Sequence, residues 1–173
     1  SNSVALNIVA VNDAPDATFD VAQITTEGNN ALTGTLTSTD IDTRDQAGDT
    51  ASYSLLSASI ADSDGNAIND ANGDPIAVQG LTISADGSWS FNPADPAYNA
   101  LAEGEVQTIT VNYQVEDAAG LSDSSSFLIT LTGTNDAPVA TFNTAQTATE
   151  DADPITGQLT STDADAIDTV NYS

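Results

Sequence analysis

Two aspartates separated by one residue occur at Asp40-x-Asp42 and again at Asp163-x-Asp165. An Asn-Asp pair occurs at Asn12-Asp13 and again at Asn135-Asp136. Carboxylates and asparagine carbonyls two residues apart in a loop can converge on one cation. Ca2+ takes about six to eight oxygens and tolerates irregular geometry, whereas Mg2+ demands a stricter octahedron and keeps more water, so the pattern points to calcium. Glu27 and Glu150 lie in loops that correspond to each other, and Asp49 and Asp168 close the two DxD segments. Each acid taken alone reads as a turn residue capping its own backbone. The recurrence of the whole set is what favours a metal.

Other chemistry has little to work with. The chain has no cysteine and no histidine. Thiol chemistry, disulfides, imidazole metal sites and Ser–His or Cys–His nucleophiles are therefore excluded. Carboxylate pairs leave glycoside hydrolysis open by residue type. The acids, however, sit at repeating connectors, and Trp89, Phe91, Tyr98 and Tyr113 read as core rather than as sugar platforms, so the chain reads as a non-enzyme. A second acidic cluster, DSDGNAINDANGD at 62–74, opens like a calcium loop. It departs from the EF-hand pattern: Ala67 stands where glycine is required, and Gly73 where the bidentate glutamate belongs. It reads first as a long polar hairpin loop, with a calcium loop as the alternative. Asp117, in YQVEDAAG, is open between turn cap and junction ligand.

The elements that must hold these acids repeat. VNDAPDATF at 11–19 returns as TNDAPVATF at 134–142, and residue n answers to n + 123. Ala22-Gln23, Glu27 and Gly34 match Ala145-Gln146, Glu150 and Gly157; LTSTDID at 36–42 matches LTSTDAD at 159–165. Four extra residues then enter the first copy before Asp49-Thr50 and Tyr53-Ser54 meet Asp168-Thr169 and Tyr172-Ser173. Backwards, Val4, Leu6 and Ile8 answer to Phe127, Ile129 and Leu131, the inward positions of an alternating strand. A match this long at one offset signals a tandem array. The expected organisation is the last strand of a preceding repeat at 1–11, a complete repeat at 12–134, and the N-terminal part of the following repeat at 135–173.

Within the complete repeat, alternation marks strands through Ile109, Val111, Tyr113 and Val115 and through Phe127, Ile129 and Leu131. LTI at 81–83 and WSF at 89–91 flank an Asp-Gly turn and predict a hairpin. Leu32 to Leu36 and Tyr53 to Ile60 make two more strands, and 93–105 is the one segment suited to a helical turn. Seven or so short strands with turns between them predict an all-β fold, a β-sandwich. Residues 1–11 and 139–173 cannot between them complete a second sandwich; more chain, another molecule or strand exchange must supply the rest.

The net charge is −25, with Arg44 the only basic side chain. Such a surface repels nucleic acid and anionic membranes, and it repels itself. Salt screens part of that repulsion, and divalent cations bound where acids cluster remove more of it. The bland alternative is an acidic solubilising surface of a salt-adapted organism. No stretch approaches the length of a membrane span, and no signal peptide is visible. The first residues already read as a strand and its exit, so the chain is expected to be cut from something longer.

The NDAP connectors, ADGSWSFNP at 85–93, AYNALAEGE at 97–105, YQVEDAAG at 113–120 and LITLTGTNDAP at 128–138 resemble VCBS-type and cadherin-like tandem repeats of large bacterial surface proteins, including RTX adhesins. The resemblance covers residues 12–138 and both partial neighbours. It implies an immunoglobulin/cadherin-like Greek-key β-sandwich, tandem arrays, extracellular display at the bacterial surface after type I secretion, and calcium at the junctions. The family's arrangement, carried over by position, gives an upper junction of Asn12, Asp13, Asp40 and Asp42, and a lower one of Asn135, Asp136, Asp163 and Asp165. Glu27 serves one of the two, and which one is open. Asp16 has no acidic counterpart, since Val139 replaces it. The implied function is a calcium-rigidified extender that projects a binding region away from the cell, with neighbouring repeats as partners. The alternative is a glycan- or protein-recognition module, or a self-assembling extracellular filament subunit.

Overall fold

Apolar and polar residues alternate along 106–116 and 122–132, with β-branched and aromatic types at the apolar positions. Such segments bury one face and hydrogen-bond along both edges. They form the two central strands of the fold. The computed structural model describes residues 3–9, 11–42, 51–165 and 171–172. Its strands are β1 (Asp16–Ala17), β2 (Gln23–Thr26), β3 (Leu32–Thr35), β4 (Ser38–Thr39), β5 (Ser52–Ala61), β6 (Leu81–Ile83), β7 (Ser88–Phe91), β8 (Val106–Glu116), β9 (Ser122–Thr132), β10 (Val139–Ala140) and β11 (Ser161–Thr162). A single 3-10 turn, Pro96–Tyr98, lies in the segment suited to a helical turn.

Two sheets face each other. One has the order β2-β9-β8-β5, the other β3-β7-β6. Consecutive strands cross between the sheets, β2 to β3 and β5 to β6, and β2 pairs parallel with the end of β9 while the other pairings are antiparallel. This is the β-sandwich that the strand pattern predicts, of the Greek-key immunoglobulin/cadherin type that the resemblance implies. Small two-stranded ladders, β1 with β4 and β10 with β11, stand at the two connectors.

The inward positions fill one core. Ile109, Val111, Tyr113, Val115, Ile129 and Leu131 are fully buried, facing Trp89 and Phe91 from the opposite sheet. Phe19, Trp89 and Phe127 make an aromatic stack, with Phe19 edge-on to Phe127 at 5.2 Å and Trp89 at 5.0 Å from Phe127. Each fully buried side chain of this size stabilises the fold by roughly 1.5–3 kcal/mol. Tyr113 carries its hydroxyl into the core and satisfies it there: it donates to the Phe19 carbonyl at 3.0 Å and accepts the Phe19 N–H at 2.9 Å. Burial pushes its phenol above the usual tyrosine value of 10.0. These two bonds fasten the segment after β1 onto β8, and so fix where the first connector enters.

The predicted Asp-Gly hairpin joins β6 to β7, with Gly87 at φ 85 and the Asp86 carboxylate accepting the Ser88 N–H at 3.0 Å. The 62–74 segment resolves into two such turns in series. Asp62 accepts N–H groups from Asp64 and Asn66, Asp70 does the same for Asn72 and Asp74, and Gly65 and Gly73 take φ 84 and 88. The bond from the Asn66 backbone holds the Asp62 carboxyl below the usual aspartate range, and the bond from Asp74 does so for Asp70. Ile68 then bonds back to Ile60, and Ile76 to Ile68. These carboxylates cap turns, as the hairpin-loop reading requires.

Residues 3–9 make no strand pairing. Val4, Leu6 and Ile8 are 92%, 82% and 81% exposed, while their counterparts Phe127, Ile129 and Leu131 are 1% exposed or less. No helix among the described residues is long and apolar enough to cross a membrane.

Candidate metal sites at the two connectors

β2 lies parallel to the end of β9, with Thr25 opposite Leu131. The pairing runs one residue further: Glu27 donates its N–H to the Thr132 carbonyl at 2.9 Å. This carries the Glu27 side chain to the start of the second connector, where a carboxylate oxygen accepts the Thr134 N–H at 3.2 Å. Asn135 donates from its amide to the Asp136 carbonyl at 2.8 Å, and the Asp136 N–H donates to Asp165 Oδ2 at 2.7 Å. The Asp165 N–H in turn donates to Asp163 Oδ1 at 3.3 Å. Glu27, Asp136 and Asp165 thus share one corner, so Glu27 sits at the lower connector.

That corner is electrostatically unbalanced. Glu27 is 6% exposed and Asp165 is 4% exposed. Burial pushes the Glu27 carboxyl above its ordinary 4.5, the Thr134 N–H pulls it back, and the charges of Asp136 and Asp165 push it up again. Asp165 Oδ1 is enclosed and meets no hydrogen-bond donor among the described residues. A buried carboxylate oxygen without a partner is strongly unfavourable unless something positive reaches it.

The upper connector repeats this geometry. The Asp13 N–H donates to Asp42 Oδ2 at 2.5 Å, and the Asp42 N–H to Asp40 Oδ1 at 2.9 Å. Asn12 donates from its amide to the Asp13 carbonyl at 2.9 Å and also to Asp117 Oδ2 at 2.7 Å. Asp117 stands in the turn between β8 and β9, 6% exposed, its other oxygen accepting the Ala119 and Leu121 N–H groups at 2.9 and 2.8 Å. The Asn12 amide foremost holds its carboxyl below the usual aspartate range. Turn cap and connector contact are therefore one and the same residue. The DAAG turn was the signal, but only the fold shows that it faces Asn12.

Thr18–Thr37 and Thr141–Thr160 hydroxyl pairs at 2.8 Å, and Ser38–Tyr53 and Ser161–Tyr172 pairs at 2.7 and 2.9 Å, repeat across the same offsets as the sequence match. Glu150 is exposed at a turn whose next residue, Asp151, has φ 61, matching Gly28 at φ 72 after Glu27. Asp49 and Asp168 lie outside the described residues.

Among the described residues, no three acidic side chains stand close enough to hold an ion as placed. The donor set nevertheless fits a hard cation. It is all oxygen, it is anionic, and at the lower connector it includes Asp165 Oδ1, unpartnered among the described residues.

The charge of Glu27 has a sign that can be read out. Its raised value means that ionisation opposes folding: the penalty is absent below about 4.5 and in full force above the raised value. Glu27→Gln is therefore expected to stabilise the metal-free chain at neutral pH and to flatten its stability gain on mild acidification. Asp62, Asp70, Asp86, Asp117 and Asp123 have lowered values, and they withdraw stability as pH falls through them from 3.8. Urea titrations in EGTA check the Glu27 arm between about pH 4.5 and 7 and the aspartate arm below about pH 4; a Glu27→Gln variant destabilised across the upper range would contradict the charge argument.

No protein-family model matches the chain, and no curated protein matches it. Among solved structures, the protocadherin gamma-B4 extracellular domain superposes with a TM-score of 0.45 at 18% identity, over 95% of this chain and 26% of that one. The human desmocollin-1 ectodomain does so with a TM-score of 0.40 at 18% identity, over 90% and 28%. The chain spans about a quarter of the length of either.

Proposed function

We propose that this chain is a calcium-rigidified extender repeat of a bacterial cell-surface adhesin, of the VCBS-type or RTX kind. Its modules are 12–134, the last strand of a preceding repeat at 1–11, and the start of the next at 135–173. The observation that carries the reading is the enclosed Asp165 Oδ1, unpartnered among the described residues, beside Glu27 and Asp136. A carboxylate from one sandwich, the connector and a DxD pair from the following segment contribute to one corner, so anything that ties them together ties one module to the next.

The chain's own residues do the following. Pro15 and Pro138 fix φ after Asn-Asp-Ala and keep each connector extended. Asp42 and Asp165 hold the connector N–H groups of Asp13 and Asp136 and so aim the connector carboxylates. Glu27 supplies the preceding module's charge at the lower connector, and Asp117 clamps Asn12 at the upper. Bound calcium would neutralise these carboxylates and supply shared coordination. Extracellular modules bind it near about 10⁻⁴–10⁻³ M, far above cytosolic levels, so stiffening would follow export. Under this reading Val4, Leu6 and Ile8 are exposed because the sandwich they belong to lies upstream.

Small-angle scattering of the chain in about 5 mM calcium and in EGTA tests the proposal. Calcium is expected to lengthen and narrow the distance distribution; identical curves in the two conditions would overturn it.

A further inference from the structure

Acids dominate the turns and connectors, yet the outward face of the four-stranded sheet carries none between Glu116 and the far end of β8. Its positions are serine, threonine, asparagine and glutamine, with Leu128 and Ile24 protruding. A register shift between Leu55 and Ser57 bulges β5 and lifts Leu56, 52% exposed, above its neighbours. Beside it lies an open groove of about 370 Å³ lined by Leu56, Ser57, Asn112, Ser124, Ser125 and Ser126. Its volume falls in the range of small-molecule sites, about 300–1,000 Å³.

We propose that this groove binds a neutral saccharide. The lining holds hydroxyls and one side-chain amide, which can both donate and accept, and one aliphatic side chain for a sugar's C–H face. Asn112 donates to Ser57 Oγ at 3.0 Å, leaving the amide oxygen and the serine O–H for a ligand. Charge selects the class. With no cation in the lining and a net charge of −25, anionic ligands are repelled. With no carboxylate in the lining, a cationic ligand is better served at the turns. A second copy of the chain brings its own −25 with it. An uncharged polyol meets none of these objections, and a shallow open groove gives weak binding, with Kd on the order of 1 mM. The inference stands apart from the calcium reading, so its test is run in both calcium and EGTA.

The experiment is a ¹H–¹⁵N NMR titration with cellotriose, maltotriose and mannotriose, with sialyllactose as the anionic control. Amide shifts are expected at 56–57, 112 and 124–126 with at least one neutral trisaccharide, and a roughly tenfold loss in Ser126→Val or Asn112→Leu. Both variants change outward side chains, and each variant's own spectrum reports whether it is folded. No shift at about 20 mM of any neutral probe would overturn the proposal. So would shifts that map elsewhere, shifts that persist in both folded variants, or sedimentation showing that this face is covered by a second copy.

Discussion

Asp165→Ala is expected to remove most of the stability that calcium adds to this chain. With a dissociation constant near 10⁻⁴ M and about 10 mM free calcium, one site that binds only the folded state contributes roughly 2.7 kcal/mol. In the variant the increment is expected to fall to about 1 kcal/mol or less. In EGTA the same substitution is expected to be nearly neutral. It removes the bond from the Asp136 N–H, but it also removes an enclosed carboxylate with one oxygen unpartnered. That contrast between the two conditions separates a ligand from a merely structural aspartate. Asp42→Ala at the upper connector is expected to have the smaller effect, since Asp42 is only half-buried and the buried carboxylate there, Asp117, already accepts bonds from Asn12, Ala119 and Leu121. Urea unfolding followed by the fluorescence of Trp89, at matched ionic strength, reads both variants. A full calcium increment in Asp165→Ala would remove the support from the proposed junction.

How much of this was legible in the residues depends on the range over which each signal acts. The alternation of Ile109 to Val115 and of Phe127 to Leu131 is local, and it placed β8 and β9 and their inward faces correctly. The Asp-Gly turn did the same for β6 and β7. β2 was not legible. Ile24 is 77% exposed while Thr25 is 6% exposed, the reverse of hydrophobic patterning, because its register is set by parallel pairing with β9 about a hundred residues away. That same pairing decides that Glu27 reaches the second connector, so its junction could not be read from spacing. The repeat did show which acids correspond. It could not show that Asp165 is enclosed while Asp42 is half-buried, because burial depends on what packs over each loop. The 62–74 segment is the opposite case: its opening, Asp62-x-Asp64-x-Asn66, suits a calcium loop and a capped turn alike, and local hydrogen bonding chose the turn.

Gly133→Ala is expected to destabilise the sandwich by about 3 kcal/mol. A Cβ at this position would lie 2.4 Å from the Ala102 carbonyl oxygen and 2.6 Å from that of Leu101. Both are backbone atoms of the segment between the 3-10 turn and β8, and that segment cannot retreat freely: Leu101 and Tyr98 are buried in the core, and the Tyr98 hydroxyl donates to the Gln79 carbonyl at 2.8 Å. Gly133 itself is held from both sides. Its N–H donates to the Glu105 carbonyl at 2.8 Å, and its carbonyl accepts the Gly104 N–H at 3.2 Å. The overlap must therefore be relieved by moving the end of β9 outward. Thr134 follows directly, and with it the N–H that Glu27 accepts, so the substitution is expected to weaken calcium binding as well as folding. Gly34→Ala makes the useful comparison. Its Cβ would lie 2.6 Å from the Trp89 indole nitrogen, a side-chain overlap on the sheet opposite β9 that does not involve Thr134. It is expected to lower stability while leaving the calcium increment of the folded protein intact. If the two variants lose stability but keep the same calcium increment, the exit of β9 and the metal corner are independent, and the coupling of sandwich to connector through Thr134 is wrong.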